Sequence, residues 1–489
     1  MTEPFVVVGG DAGGLSAASK FVRESTDGSG DDAGTSDREV LVFERGQWVS
    51  YAHCGTPYFV KGEVERLTDL LSLSPEDIES RGIDLRRGHE VVAVDADAET
   101  VTVTTPDGDD HVHPYGDLLL ATGARAVTDP IPGTEADAVF TIHGLDSAAA
   151  TRALLTPPDG FSVDDLGGGE FLDTDRAARY GAMAPPETVA VVGGGYVGIE
   201  MCEALAAWDL EVHLFQRSDH VLDPFGDAVA EVVEAHLREQ GVTLHLGEAV
   251  ADLRQDDDGR VSGLVCEGGT ELAVECAIVG VGVRPNVDLA VDAGIDLGQS
   301  GAIATDEYGH TSVDHVYAVG DCAEMHHVVT DDPAWVPLGL TANRAGRAVG
   351  QTVAGEPSEV GGIAGTAVLK AFEQECGRAG LTDSAEARKA GFDPVTQTIT
   401  AGSRSGYYPG AEETTVTLLA DRETGRLLGG SVVGRDRAAI RIDTVATALE
   451  ARMTVGEVER LDLAYAPPFS PVWDPILVCA KVLAGQVAD

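Results

Sequence analysis

Cys54 stands in the run Val49-Ser50-Tyr51-Ala52-His53-Cys54-Gly55-Thr56-Pro57-Tyr58, and no other cysteine follows until Cys202. A thiol without a neighbouring partner cannot close a local disulfide. Any redox cycle at this position therefore runs through a mixed disulfide, a persulfide or a sulfenic acid. The sulfur must then work as a thiolate, both when it attacks and when it leaves. His53 is placed to lower the Cys54 pKa, with a satisfied local hydrogen bond as the alternative role. The chain has seven cysteines, an odd number without C-x-x-C spacing, which argues against a disulfide framework and a zinc ribbon. Cys202, Cys266, Cys276, Cys322, Cys376 and Cys479 read as small core residues.

Electrons must reach such a sulfur from a carrier, and two glycine-rich stretches are suited to hold one each. The apolar strand Phe5–Val8 runs into Gly9-Gly10-Asp11-Ala12-Gly13-Gly14 and a helical stretch from Leu15 to Arg23. The same order returns at Val189–Val192, Gly193-Gly194-Gly195-Tyr196-Val197-Gly198 and a helical stretch to Trp208. Strand, glycine turn and helix place backbone N–H groups at a helix N-terminus, where a pyrophosphate is bound. Each unit has a matching second strand, 39–44 and 211–216, so the pattern predicts two dinucleotide-binding folds in one chain. Gly193, Gly195 and Gly198 keep the full glycine spacing; the first loop keeps Gly9 and Gly14 but carries Asp11 where the middle glycine belongs.

The residue ending each second strand meets the ribose. Glu44, followed by Arg45, suits a ligand with free ribose hydroxyls. Gln216, followed by Arg217, removes a carboxylate and offers a cation to a 2′-phosphate, so the second unit is expected to prefer NADPH, with NADH as the alternative. From Gly14 to Glu44 the chain runs about ten residues longer than the usual spacing of about 20. The excess is the Asp/Gly/Ser-rich stretch 25–37, read as a solvated insertion, and 157–186 is read as a second such loop. Beyond residue 356, apolar strands at 414–419 and 427–433 alternate with helical stretches at 441–451 and 455–460, the pattern of an α+β domain. The resulting division is 1–150 and 277–355 for the first nucleotide domain, 151–276 for the second and 356–489 for the last.

The bulk composition narrows the setting. There are 82 acidic and 33 basic residues, a formal net charge of −49, with lysine contributing only five of the cations. Such self-repulsion is relieved where molar salt shortens the Debye length to about 3 Å, so the expected setting is a salt-rich cytoplasm. Nucleic acid and anionic membrane are disfavoured as partners. No signal-like N-terminus and no run of 18 uncharged apolar residues is present, consistent with a cytoplasmic protein.

Five motifs together resemble the single-cysteine flavoprotein disulfide reductases, of the coenzyme A-disulfide reductase and NADH oxidase type: SYAHCGTPYFVKGEV at 50–64, VAVVGGGYVGIE at 189–200, VYAVGDCAE at 316–324, GYYPG at 406–410 and YAPPFSPVWDP at 465–475. The resemblance spans nearly the whole chain. It implies an α/β architecture of two Rossmann-like domains, for FAD and NAD(P)H, and a C-terminal α+β domain that makes a homodimer. It implies that the turn Ala121-Thr122-Gly123 backs the FAD site and that Gly320-Asp321 meets the FAD ribityl chain. It also implies that Tyr408, with Tyr407, and Tyr465 are lent to the partner subunit's redox cysteine, where a phenol can protonate a departing thiolate. Ser16, Lys20 and Arg23 fall on one helical face, and the resemblance gives that face, with Ser50 and His53, to coenzyme A. The implied reaction is reduction of coenzyme A disulfide through a mixed disulfide on Cys54. Reduction of oxygen through a sulfenic acid, reduction of a persulfide or polysulfide, and a flavin-bound redox sensor are the alternatives. The related oxidases often carry a histidine in the first glycine loop, where this chain has Asp11-Ala12, which favours the disulfide.

Overall fold

The first strand, Phe5–Val8, is apolar throughout because it is buried on both faces, as a central parallel strand must be. In the computed structural model, which describes residues 3–27 and 38–487, it lies mid-sheet between Val40–Glu44 and Asp117–Leu120, parallel to both. Asp84–Arg87 and Val316–Ala318 complete the five strands of this sheet. The last of these arrives from far along the chain, after the second nucleotide unit has been built.

The second unit repeats the plan. Thr188–Val192 lies between Glu211–Gln216 and Cys276–Val279, again parallel. The short strand Val139–Phe140 adds to one edge of this sheet, so the second nucleotide unit draws on chain before residue 151 and runs past residue 276. The helices Ala12–Asp27 and Tyr196–Ala206 each start where their sheet's first strand ends. The C-terminal domain is an antiparallel sheet in the order Ala367–Ala371, Gln374–Gly380, Leu427–Gly434, Glu413–Asp421, Pro394–Gly402. Its helices Ile442–Glu450 and Pro475–Ala484 are packed on that sheet.

The stretch 157–186 is corrected. It is not a solvated loop but a folded segment of short helical turns ending in the helix Thr174–Gly181, which Asp173 caps. Leu166, Leu172, Ala177 and Tyr180 are buried against the second domain, with the Tyr180 ring 5.1 Å from that of Phe140. Its acidic and glycine residues hid four widely spaced apolar anchors. For the other stretch, the first helix continues to Asp27, and residues 28–37 lie outside the described residues.

One carboxylate joins all three domains. Glu203, buried on the helix Tyr196–Ala206, accepts from Lys61 of the helix Thr56–Lys61 at 2.7 Å and from the Phe372 N–H of the C-terminal domain at 2.8 Å. Lys370 approaches it at 3.6 Å. Two of the chain's five lysines thus converge on one glutamate. Among the described residues, no helix is long and apolar enough to cross a membrane.

Candidate active site

The C-terminal ends of both parallel sheets open into one cleft, the usual ligand position in open α/β sheets. Its volume is about 2620 Å³, several times the roughly 300–1,000 Å³ that holds one small ligand. Two dinucleotides therefore have room. Both glycine loops line this cleft, as do the Ala121–Gly123 turn, Gly320-Asp321, and Ser50, His53 and Cys54.

In the first loop, a Cβ on Gly14 would run into the carbonyl oxygen of Gly9, so only glycine lets the helix start this close to the strand. Glu44 turns its carboxylate inward: Oε2 accepts from Gly10 N at 2.8 Å and Oε1 from Gly46 N at 2.7 Å. Each oxygen keeps acceptor capacity for a ribose hydroxyl. Arg45 is exposed at the cleft. The Ala121–Gly123 turn is pinned by Asn286, whose Nδ2 donates to Thr122 O at 2.8 Å while Thr122 Oγ1 donates to Asn286 O at 2.7 Å. Nothing in local sequence flags Asn286, which lies 164 residues from its partner. Burial raises the Asp321 carboxyl above its usual range, and its backbone carbonyl accepts from Trp335 Nε1 at 2.9 Å.

The second loop is more open. A Cβ on Gly195 would meet no protein atom within 4 Å, so this glycine faces the space that a pyrophosphate needs. Gln216 repeats the role of Glu44: its Oε1 accepts from Gly194 N at 2.9 Å, and its Nε2 donates to His220 O at 3.2 Å. Its amide is thereby committed to the loop, and the exposed Arg217 is the group beside it that faces the cleft. The residues present fit a dinucleotide in each loop.

Cys54 lies in the helical turn His53–Gly55, which leads directly into the helix Thr56–Lys61. It is the one exposed cysteine; the other six are buried. The thiol's pKa is raised, first by desolvation in the cleft and then by the Glu200 carboxyl. The expectation that His53 lowers it is therefore corrected. His53 Nε2 instead meets Asp11 Oδ2 at 2.5 Å, so the imidazole's strongest partner is a carboxylate across the cleft floor and not the adjacent sulfur.

Glu200 comes from the second nucleotide helix and accepts from Tyr58 Oη at 3.3 Å. Burial pushes its carboxyl up from 4.5 to about 7, against the lowering effect of the Tyr58 hydrogen bond. Because the folded state holds this proton more tightly, its stabilising effect is complete below pH 4.5 and disappears as pH rises to about 7. Glu200→Gln should remove that loss. The urea midpoint of the variant is expected to fall less than that of the parent between those limits, and equal slopes in the two proteins would contradict the assignment.

The proposed substrate face is only partly as expected. Ser16, Lys20 and Arg23 line the same cleft as Cys54, but Lys20 is buried and its ammonium is paired with Glu24, so its charge is already neutralised. Ser16 Oγ donates to Asn343 Oδ1 at 2.7 Å, which brings in the helix Gly339–Val353 with the exposed Arg344 and Arg347 at the cleft. The sequence reading missed these two arginines because they lie more than 300 residues from the first loop. Tyr407, Tyr408 and Tyr465 do not line the cleft of the single chain. They are exposed on the C-terminal domain, Tyr407 at 81% and Tyr465 at 60%, and Phe469 and Trp473 are exposed in the same domain.

Comparison with known proteins gives a consistent pattern. Residues 3–345 match the model of the pyridine nucleotide-disulphide oxidoreductases, and residues 366–475 match the dimerisation domain of the same group. The chain is 37% identical over 485 residues to the NAD(P)H coenzyme A polysulfide/persulfide reductase of Pyrococcus horikoshii, covering 99% of each. Among solved structures it is similar to the NAD-dependent persulfide reductase from A. fulgidus, with 32% identity, a TM-score of 0.87 and coverage of 99% of this chain and 83% of that one. Reduced Bacillus anthracis CoADR-RHD is similar at 30% identity and a TM-score of 0.86, over 99% of this chain and 81% of that one.

Proposed function

This chain belongs to the pyridine nucleotide-disulphide oxidoreductase family, uses FAD and NAD(P)H, and, we propose, reduces a coenzyme A-linked sulfur–sulfur bond through a mixed disulfide on Cys54. One observation carries this reading. Cys54 is the only exposed cysteine, and it shares its cleft with both nucleotide loops. FAD, when bound, supplies the two-electron relay between the nicotinamide and sulfur.

The rest is the work of this chain's own groups. Cys54 thiolate attacks one sulfur of coenzyme A disulfide, forming the mixed disulfide and releasing one coenzyme A thiolate. Two electrons from NAD(P)H then cleave the mixed disulfide, restoring Cys54 thiolate and releasing the second coenzyme A. The balance is one NAD(P)H and one proton consumed for two thiols formed. Arg23, Arg344 and Arg347 give the cleft mouth positive groups for an anionic nucleotide portion, unusual in a chain of net charge −49. Tyr465 and Tyr408, exposed in the single chain, suit a homodimer in which each subunit's phenols reach the other's Cys54 and protonate the departing thiolate.

A second reading is favoured by a specific observation: the Pyrococcus relative, 37% identical over nearly both full lengths, is a coenzyme A polysulfide/persulfide reductase. A coenzyme A persulfide presents the same nucleotide to the same face and the same kind of bond to Cys54, with hydrosulfide as a product.

The test is NADPH and NADH consumption in molar KCl, with coenzyme A disulfide or with polysulfide plus coenzyme A, under argon and then in air. Disulfide-dependent oxidation under argon is expected. Sulfide release exceeding disulfide reduction would select the second reading, and oxidation that needs only air would overturn both. The committed amide of Gln216 and the exposed Arg217 favour NADPH. Arg217→Ala is expected to raise KM for NADPH about tenfold and leave NADH unchanged.

A further inference from the structure

Asp11 stands where the glycine motif has its middle glycine, directly before the helix Ala12–Asp27. An aspartate there ordinarily turns back to accept N–H groups of its own first turn. This one turns away. Its Oδ1 accepts from Tyr51 N at 3.2 Å and its Oδ2 meets His53 Nε2 at 2.5 Å. One residue earlier, Gly10 O accepts from Ser50 N at 3.1 Å. The redox loop is thus laced to the first dinucleotide loop by three contacts, from Ser50, Tyr51 and His53, and Ser50 takes a left-handed conformation, φ 51°, to make it possible. The Tyr51 and His53 rings pack at 4.1 Å, and Cys54 follows at once.

A carboxylate at this position works against cofactor binding. It places a negative charge in a loop that receives a pyrophosphate, where glycine would place none and would allow closer approach. The His53 imidazole is the ring that meets that carboxylate.

We propose that Asp11 is a positioning residue. It holds the Ser50–His53 loop, and through it the Cys54 sulfur, in register with the dinucleotide at the first loop. The inference rests on the reading of Cys54 as the redox sulfur and of the first loop as the FAD site. It assigns no chemistry to Asp11 itself.

The decisive variant is Asp11→Gly, which restores the motif's own glycine. Because Cys54 is exposed and the other six cysteines are buried, iodoacetamide labelling of the FAD-loaded protein at one fixed pH reads a single thiol. With the loop released, the partial desolvation in the cleft that now disfavours the Cys54 thiolate is relieved. Alkylation is expected to speed up about threefold or more. FAD content should be retained, and kcat should fall about tenfold with KM for NAD(P)H unchanged, the signature of a misplaced reacting atom. Asp11→Asn, which keeps an acceptor for Tyr51 N, should recover part of both effects. Unchanged alkylation and kcat in Asp11→Gly would overturn the proposal. So would a parallel loss of FAD and melting temperature, which would make Asp11 a support of the fold alone. The labelling and FAD readouts decide the matter even if coenzyme A disulfide proves not to be the substrate, so the two readings fail separately.

Discussion

Cys54→Ser is expected to lower disulfide-dependent NAD(P)H oxidation by more than about 10³-fold while leaving FAD bound and still reducible by NAD(P)H. The serine hydroxyl is nearly isosteric but cannot form the mixed disulfide, and its pKa lies far above that of a thiol. Nothing else in the cleft can substitute for it, because the other six cysteines are buried. Cys202, nearby in the second nucleotide helix, has its thiol held up by complete burial. The measurement is a single-turnover comparison: flavin bleaching by NADPH under argon, then reoxidation on adding coenzyme A disulfide. Bleaching should persist and reoxidation should vanish. A variant that still reoxidises with the disulfide would place the sulfur chemistry elsewhere.

Asp474→Ala should cost about 3–5 kcal/mol of stability in the C-terminal domain, the range for breaking a buried ion pair from one side. Arg441 and Asp474 are each 8% exposed, and Arg441 Nε donates to Asp474 Oδ2 at 3.0 Å. The remaining guanidinium nitrogens donate to Arg437 O at 2.7 Å and Ser403 O at 2.6 Å. Removing the carboxylate leaves this charge buried with only backbone carbonyls as hydrogen-bond acceptors. Asp474 also accepts from Ser470 Oγ at 3.0 Å and caps the helix Pro475–Ala484 through Ile476 N at 2.9 Å. It therefore anchors the segment that carries Tyr465 and Phe469. Urea unfolding reads the loss, and sedimentation at micromolar concentration should show subunits separating, with turnover falling in proportion. A destabilisation under about 1 kcal/mol would mean that water replaces the carboxylate, as it does for exposed pairs.

Much of this site was legible because its signals are local. The two glycine loops, their second strands and Cys54 each carry their information within about 40 residues, and the structure brings them to one cleft. What was not legible depends on pairs that only the fold creates. Asn286 and the Ala121–Gly123 turn are 164 residues apart, and Tyr58 and Glu200 are 142 apart. His53 shows the limit most clearly. Adjacent in sequence to Cys54, it was expected to act on the thiol, yet its imidazole partner is Asp11, 42 residues away. Adjacency fixed where the backbone goes, but not where the ring nitrogen points. The stretch 157–186 failed for another reason: composition is an average, and four buried side chains suffice to fold a segment whose average is polar.

The return of Val316–Ala318 to the first sheet also sets the order of events during synthesis. Its partner Asp117–Leu120 is made about 200 residues earlier, which at roughly 5–20 residues per second is a delay of about 10–40 s. For that interval the apolar edge of the first sheet is open while the second nucleotide unit folds from the chain between. An open edge of this kind invites pairing with another nascent chain. The Tyr465-to-Trp473 segment is made later still, after the strands of both nucleotide units.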